Sequence, residues 1–262
     1  MLFCIDIGNT NTVLGLYEGN RLASHWRIAT DHQKMPDEYG MLILDLFGRA
    51  GHQASGVQGI ILTSVVPSLT GAFEEACETY LARKPLIVNA SVRTGVEIQI
   101  DNPQEVGPDR IVNAVAAYHR YGGPACVVDF GTATTFDAIS RDGHYLGGAI
   151  APGIGIAAEA LFQRTARLPR IDLVRPPAAI GKSTVHAMQS GLLFGYVGLV
   201  EGLVARFRAE LGPKMKVIFT GGLAALLAAE TEVDDAVDPW LTLEGLRLIW
   251  EMNPPGCGGA VE

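Results

Sequence analysis

Two short segments, each ending in an acid, an apolar residue and a glycine, form the clearest chemical pattern in the sequence. Residues 2–8 (LFCIDIG) and 124–131 (PACVVDFG) are apolar, β-prone runs that end in Asp6-Ile7-Gly8 and Asp129-Phe130-Gly131. Small residues in a tight turn let backbone N–H groups converge on an anion. A carboxylate beside a phosphate needs an intervening cation, because like charges repel. The pattern therefore predicts turns that hold nucleotide phosphates together with Mg²⁺ or another cation.

The residues that follow each glycine extend the correspondence between the two segments. Gly8-Asn9-Thr10-Asn11-Thr12 is matched by Gly131-Thr132-Ala133-Thr134-Thr135, and the aspartates are 123 positions apart. At that offset Thr12 is expected to correspond to Thr135. A single Asp of this kind is often only a cap of a hairpin turn. Two such turns in register favour the phosphate interpretation.

The elements around these turns predict a duplicated chain. A second strand is expected after each turn, at about 12–17 and 134–140, and a third strand after that. Residues 59–73 and 215–228 both have the pattern of a strand, a small-residue turn and a helix. We therefore expect an α/β protein of two similar domains, 1–115 and 116–262, that face each other across a cleft.

Helices are predicted over 36–49, 108–121, about 183–211 and about 242–252, with a frayed tail at 256–262. The long third helix carries glycines that cost helix stability, so we expect close packing against a neighbouring helix, as in a dimer interface. These glycines are Gly191, Gly195, Gly198 and Gly202.

Two further sites have side chains or backbone suited to phosphate chemistry. Gly221-Gly222 follows a predicted strand and opens a helix, which permits flat contact with an adenosine group and exposes amide donors; a plain strand–helix turn explains it equally well. Asp109 and Arg110 fall in the first turn of the helix that begins at Pro108. The helix dipole favours an Asp there for structural reasons alone, but the carboxylate is also placed to take a proton from a hydroxyl, with Arg110 binding an acid or phosphate.

Two glycine motifs are set aside. Residues 181–184 (GKST) resemble the end of a Walker A loop, but Pro176 occupies the upstream glycine position and no strand precedes. Residues 153–158 imitate a dinucleotide fingerprint but lack the acidic residue about 20 positions on. The six histidines form no metal-ligand spacing.

The composition of the sequence limits the classes of protein to which this chain can belong. The chain has 262 residues, 48% hydrophobic and 18% charged residues, a net charge of −8 and a pI near 5.3. This balance argues against a general nucleic-acid or anionic-membrane binder, and no run of about 18 apolar residues predicts a membrane span. The start of the chain does not read as a signal peptide. Cys4, Cys77, Cys126 and Cys257 show no CxxC pairing, so we expect reduced thiols in a cytoplasmic protein.

The motifs together resemble type III pantothenate kinases, in order, from Met1 to about Asn253. They are DIGNTNT (6–12), EVGPDR (105–110), DFGTATTFD (129–137), GGAIAPG (147–153), GKSTVHAMQSG (181–191) and TGG (220–222). The resemblance implies the duplicated ribonuclease-H-like fold of the sugar kinase, heat-shock protein and actin superfamily. It also implies transfer of the ATP γ-phosphoryl group to the primary hydroxyl of pantothenate, the first step towards coenzyme A.

The resemblance also implies roles for individual residues. It places ATP phosphates at Asp6, Ile7, Gly8, Asn9, Thr10, Asn11, Thr12 and Val13, with Thr132 as a further ATP contact. Gly107, Pro108, Asp109, Arg110 and Thr184 would contact pantothenate, with Asp109 as the proton acceptor. Asp129 would bind a monovalent cation, K⁺ or NH₄⁺, whereas the Asp6 turn faces Mg²⁺ through the phosphates. The family is commonly dimeric, so a homodimer is expected.

The sequence departs from the family pattern at one place, and several functions are alternatives to the kinase interpretation. Many relatives have an aromatic residue just before the Asn-Pro of this region, whereas Ile100-Asp101 precedes Asn102-Pro103 here. Alternatives on the same scaffold are a sugar or acetate kinase, a polyphosphate phosphatase, and a non-catalytic regulator. A chaperone-like protein ranks last, because 262 residues leave no room for a substrate-binding domain. The presence of Asp6, Asp109, Arg110 and Asp129 argues against the regulator.

Overall fold

The structure, a computed structural model, describes residues 1–254, and its chain divides into two compact units. The first unit comprises 1–96, 102–116 and the residues from Leu241 onward, and the second comprises 97–101 and 117–240. The predicted boundary near 115 lies close to the division after Ala116. The expectation that the end of the chain belongs to the second domain is corrected, because the last helix packs on strands of the first unit.

The first unit is built on a mixed five-stranded sheet within the described residues. Its strand order is β3-β2-β1-β4-β5, with antiparallel pairs among the first three strands and parallel pairs from β1 through β4 to β5. The strands are β1 (Leu2–Ile7), β2 (Asn11–Glu18), β3 (Arg21–Ala29), β4 (Gly59–Ser64) and β5 (Leu86–Ile87).

The second unit repeats this topology over the part of the chain that the structure describes. Its sheet has the order β8-β7-β6-β9-β10, again antiparallel over the first three strands and parallel thereafter. The strands are β6 (Ala125–Phe130), β7 (Ala133–Ile139), β8 (Tyr145–Pro152), β9 (Lys216–Gly221) and β10 (Ala236–Val237). The duplication predicted from the two Asp-x-Gly segments is therefore confirmed.

The described residues form seven α-helices, and all except that over Ile154–Arg164, which was not predicted, lie at predicted positions. They are α1 (Pro36–Arg49), α2 (Pro67–Leu81), α3 (Pro108–Tyr121), α4 (Ile154–Arg164), α5 (Thr184–Leu211), α6 (Ala224–Ala228) and α7 (Leu241–Met252). Helix α1 shows why the local sequence is enough to predict a helix. Pro36 pre-sets the first turn, Glu38 accepts the N–H of Met35 at 2.9 Å, and Tyr39, Ile43 and Phe47 recur every four residues on its buried face.

Each unit buries its own core. In the first, α1 and α2 pack over apolar side chains of β1, β2 and β4, among them Phe3, Ile5, Leu14 and Leu62. In the second, α5 and α6 cover β6 and β9, with Val128, Phe130, Leu193, Val200 and Phe219 in the cluster. The sheets thus form rigid frames whose strand ends carry the loops of interest.

Helix α5 has the length and composition of a membrane-spanning segment, with a mean hydropathy of 1.3 over 18 residues. This is weak evidence, since core helices pass the same test, and one side of α5 supplies Leu192, Leu193, Val200 and Val204 to the core. The helix glycines lie on its outer side: no atom outside the helix backbone is within 4 Å of a Cβ built on Gly191, Gly195 or Gly198. The close helix packing expected for these glycines is not found among residues 1–254.

The cysteines of the described residues carry free thiols. Cys4, Cys77 and Cys126 are free and buried, and burial raises the pKa of the Cys77 thiol to about 12. Cys257 and the predicted frayed tail lie outside the described residues.

Candidate active site

The first Asp-x-Gly turn joins β1 to β2 through three residues, Gly8, Asn9 and Thr10. Gly8 donates its N–H to the carbonyl of Asn11 at 3.1 Å, and a Cβ on Gly8 would lie 2.9 Å from that oxygen. Asp6, one residue before the end of β1, is half-buried, whereas Asn9, Thr10 and Asn11 are exposed. The turn therefore presents polar groups beside a carboxylate, as predicted.

The second turn is one residue shorter, which corrects the predicted correspondence. Gly131 donates its N–H to the carbonyl of Ala133 at 3.1 Å, and β7 begins at Ala133. In the strand registers, Ile7 pairs with Thr12 and Phe130 pairs with Thr134. Thr12 is thus equivalent to Thr134 and not to Thr135, because the sequence offset drops from 123 to 122 across the turn.

Two residues predicted to contact ATP have their side chains inside the protein. Ile7 is fully buried in the first core, and its carbonyl accepts the N–H of Val65 at 3.0 Å. Thr12 is also fully buried, and its hydroxyl lies 3.0 Å from that of Thr30. The Thr12 hydroxyl is therefore not exposed, since β2 turns this side chain inward. Val13, the next residue, is half-buried.

Asp129 and Gly221 are brought together by the parallel pairing of β6 and β9. Phe130 is in register with Gly221, which has a φ of +91°. A Cβ on Gly221 would lie 2.5 Å from Oδ1 of Asp129. Glycine is required here both by the backbone angle and by the carboxylate.

The diglycine turn leads into a very short helix. Gly222 is exposed, and α6 runs for only five residues, from Ala224. The turn therefore offers an open backbone at Gly222 rather than a long helix dipole. The geometry is therefore compatible with flat contact between the turn and an adenosine group. It weakens the interpretation in which the backbone amides at the start of a helix act as donors.

Gly107 to Arg110 form the start of α3 in the first unit. Arg110 donates its backbone N–H to Oδ1 of Asp109 at 2.9 Å and to the carbonyl of Gly107 at 3.1 Å. A Cβ on Gly107 would lie 2.5 Å from the same carboxylate oxygen. Burial raises the pKa of Asp109, and this effect outweighs the opposing hydrogen bond and charge of Arg110. The carboxylate is thus pre-oriented and a better proton acceptor than an exposed Asp.

Thr184, also predicted to contact substrate, is the exposed first residue of α5. Ser183 caps this helix by accepting the N–H of His186 at 3.2 Å.

No strand or helix occurs over 165–183, so the GKST segment lacks the strand of a Walker A loop. Gly153, from the other rejected motif, donates its N–H to the carbonyl of Thr132 at 3.0 Å. The backbone of Gly153 is therefore hydrogen-bonded to the second turn.

Sequence reasoning missed a buried carboxylate next to the second turn. Asp137 is fully buried and accepts hydrogen bonds from Tyr145 at 2.8 Å and from Thr135 at 3.2 Å. Thr135 is directly opposite Asp129 in the β6–β7 register. In the sequence, Asp137 could have been noticed as the last Asp of the motif DFGTATTFD. Only the strand pairing shows how it is placed in space relative to Asp129.

The fold and these turns define the class of protein. Two units with one topology, each opening in an acid-bearing turn, have the duplicated ribonuclease-H-like fold of the sugar kinase, heat-shock protein and actin superfamily. Two solved structures under 25% identical have this fold. A protein from Campylobacter jejuni assigned to the Baf family of transcriptional activators is 22% identical, with a TM-score of 0.61 over 96% of this chain and 98% of that chain. A protein from Sinorhizobium meliloti assigned as a 2-dehydro-3-deoxygalactonokinase is 14% identical, with a TM-score of 0.61 over 97% and 100%.

Sequence relatives define the family within this class. The pattern that describes type III pantothenate kinases matches residues 2–206. The type III pantothenate kinase of Moorella thermoacetica is 56% identical over 253 residues, which are 97% of this chain and 100% of the relative. The chain belongs to the type III pantothenate kinase family.

Proposed function

We propose that this protein transfers the γ-phosphoryl group of ATP to pantothenate, giving 4'-phosphopantothenate in the first step of coenzyme A biosynthesis. The observation that carries the proposal is the 56% identity to a type III pantothenate kinase over the whole length of that relative. Both Asp-x-Gly turns and the Asp109 helix start lie within the region that the family pattern matches. The likeness to the Baf-family protein concerns the fold alone.

Asp109 is the proposed catalytic base. The pantothenate hydroxyl oxygen forms the new bond to the γ-phosphorus, the bond from that phosphorus to the ADP oxygen breaks, and the hydroxyl proton passes to Asp109. The hydrogen bond from Arg110 to Oδ1 and the raised pKa of Asp109 support this role. Gly107, Pro108 and Arg110 would line the pantothenate site, with Arg110 binding the substrate carboxylate.

The first turn, Asp6 to Val13, is the proposed site of the ATP phosphates, and Thr132, Gly221 and Gly222 are proposed ATP contacts in the second unit. Ile7 and Thr12 would act through the backbone and by packing, since their side chains are buried. Mg²⁺ bound with ATP neutralises phosphate charge. A lone Asp6 suits that ion, because Mg²⁺ takes one or two carboxylates and completes its coordination with phosphate and water. No cluster of three or more possible ligands occurs among the described residues.

Asp129 is the proposed ligand of a monovalent cation, K⁺ or NH₄⁺. Its half-buried carboxylate, which packs closely against Gly221, is a hard oxygen donor, which suits such an ion. We expect turnover of the wild type to require K⁺ or NH₄⁺ and Asp129→Ala to lose that dependence along with most activity. A wild type equally active in Na⁺ alone would contradict this assignment.

A homodimer and a location in the cytoplasm complete the proposal. The outward glycine stripe of α5 and its exposed start at Thr184 support an interface there, where small residues allow close approach of a second copy. The free thiols of the described cysteines support a reducing compartment. Ile100, in the segment where the family resemblance implies an aromatic residue before Asn102-Pro103, lies 3.4 Å from a Cβ built on Gly147 in the second unit. It would change the lining of the pantothenate pocket without changing the chemistry.

The test is formation of phosphopantothenate from ATP and pantothenate by the full chain, with and without K⁺. Sugars, acetate and polyphosphate serve as alternative substrates in parallel reactions. We expect product only from pantothenate, at a rate that K⁺ increases. Absence of phosphopantothenate in every condition would overturn the proposal.

A further inference from the structure

Thr30, the residue that follows β3, makes three hydrogen bonds to the first turn. Its N–H donates to the carbonyl of Thr10 at 3.0 Å, and its hydroxyl donates to the carbonyl of Gly8 at 2.7 Å. The same hydroxyl lies 3.0 Å from that of Thr12. The side chain of Thr30 thus ties the beginning of the turn to its end, and its backbone N–H holds the middle.

The direction of this hydrogen-bond chain follows from proton counting. A threonine hydroxyl has one proton, and that of Thr30 is used on Gly8. The buried Thr12 hydroxyl must therefore donate to Thr30. The order of donation is Thr12 to Thr30 to the Gly8 carbonyl.

Fixing these carbonyls also fixes the amides that follow them. The peptide bonds after Gly8 and Thr10 are trans, so the N–H groups of Asn9 and Asn11 point opposite to the carbonyls held by Thr30. Asn9 and Asn11 are exposed. Thr30 therefore directs two amides of the turn to the side away from itself, which is the arrangement that an anion-binding turn needs.

The second unit distinguishes what the side chain of Thr30 contributes to the turn from what its backbone contributes, because the equivalent residue is a glycine. Gly153 follows β8 as Thr30 follows β3, and its N–H makes the equivalent bond, to Thr132 at 3.0 Å. A Cβ on Gly153 would lie 2.5 Å from the carbonyl oxygen of Gly131. The shorter second turn leaves no room for a side chain, whereas the longer first turn accommodates a threonine that braces it.

We propose that Thr30 is a positioning residue of the nucleotide site, whose hydroxyl keeps the amide of Asn9 directed at the ATP phosphates while its backbone N–H holds that of Asn11. The inference rests on the proposed ATP-dependent function and names a residue that acts on it through Gly8 and Thr12. It predicts a specific loss in ATP binding when the hydroxyl is removed.

The test compares Thr30→Val, which keeps the branched shape without the hydroxyl, with Thr30→Ser, which keeps the hydroxyl. We expect Thr30→Val to raise the KM and the dissociation constant for ATP about three- to tenfold, as one lost hydrogen bond does. The KM for pantothenate should not change, and Thr30→Ser should restore ATP binding to within about twofold of wild type. Amide hydrogen exchange over Gly8 to Asn11 should be faster in Thr30→Val only.

Thr94→Val is the matched control. Thr94 is also half-buried in the first unit, and its hydroxyl also donates to a backbone carbonyl, that of Val96 at 3.3 Å. We expect it to leave ATP binding unchanged. If Thr30→Val folds poorly, the double variant Thr12→Val/Thr30→Val avoids an unsatisfied buried hydroxyl and should show the same weakening of ATP binding.

The outcomes separate this inference from the proposed function. Unchanged ATP affinity in both hydroxyl-free variants overturns the role of Thr30, as does failure of Thr30→Ser to restore binding or an equal loss in Thr94→Val. A wild type that forms no phosphopantothenate, but binds ATP more tightly than Thr30→Val does, overturns the proposed substrate and supports the role of Thr30.

Discussion

The carboxylate of Asp129 lies against the α-carbon of Gly221 at the end of the neighbouring parallel strand. These residues are 92 positions apart in the sequence, yet a single methyl group at Gly221 would come within 2.5 Å of Oδ1 of Asp129. The backbone of Gly221 has a φ of +91°, which side chains rarely permit. The proposed cation ligand and a proposed ATP contact therefore constrain each other directly.

Gly221→Ala should lose activity by displacing the Asp129 carboxylate. Backbone strain should also destabilise the variant by about 1–3 kcal/mol, measured by chemical denaturation. Gly212→Ala is the control, since Gly212 has a φ of +98° with no atom within 4 Å of a built Cβ. It should lose similar stability but retain K⁺-dependent activity. Equal activity losses in both variants would show that strain, rather than the crowding of Asp129, is responsible.

Asp109→Asn should reduce turnover by about 10²- to 10⁴-fold, the usual contribution of a general base, with ATP binding nearly intact. The thermal midpoint at neutral pH should not fall. Burial raises the folded-state pKa of Asp109 above its ordinary value, so its ionised form destabilises the fold above that pKa, and Asn removes this cost. Steady-state kinetics, ATP titration and thermal unfolding measure the three effects. Near-wild-type turnover would remove Asp109 from the base role.

The pH dependence of turnover should report the same carboxylate. Asp109 must be ionised to accept a proton, so activity should fall as the pH decreases through its raised pKa, above the ordinary 3.8. The charge of Arg110 opposes this rise in the pKa. In Arg110→Gln the acidic limb of the kcat profile should therefore move to higher pH. A limb that stays in place, at saturating pantothenate, would assign it to another group.

The C-terminal helix should support the start of α3. Gly245 of α7 packs directly on the backbone of Val112, one turn after Asp109, and Thr242 donates a hydrogen bond to Asn113 at 2.8 Å. Gly245→Ala should overpack this contact and destabilise the protein by about 1–3 kcal/mol, measured by urea denaturation.

The matched control for this contact is an open helical glycine. Gly48→Ala, in α1 with no atom within 4 Å of a built Cβ, should instead stabilise by about 0.5–1 kcal/mol. A Gly245→Ala variant that gains stability as Gly48→Ala does would disprove the tight contact.

Much of the fold was predictable because its signals are local. Pro36 and Pro108 mark helix starts, apolar periodicity marks the helix faces, and the repeated Asp-x-Gly segments reveal the duplication. The same motifs, in order along the chain, indicated the family. These signals depend on residues within about ten positions of one another, so a linear reading retains them.

Tertiary structure alone decided how distant segments meet. Strand register made Thr12 the counterpart of Thr134 and buried its hydroxyl against Thr30. Parallel pairing put Gly221 against Asp129, and core packing returned α7 to the first unit. The physical reason is that register and packing are set by non-local contacts, and a one-residue difference in turn length changes which side chains face each other. The two Asp-x-Gly turns are therefore alike in sequence but braced differently, by a threonine side chain in one and by glycine backbone in the other.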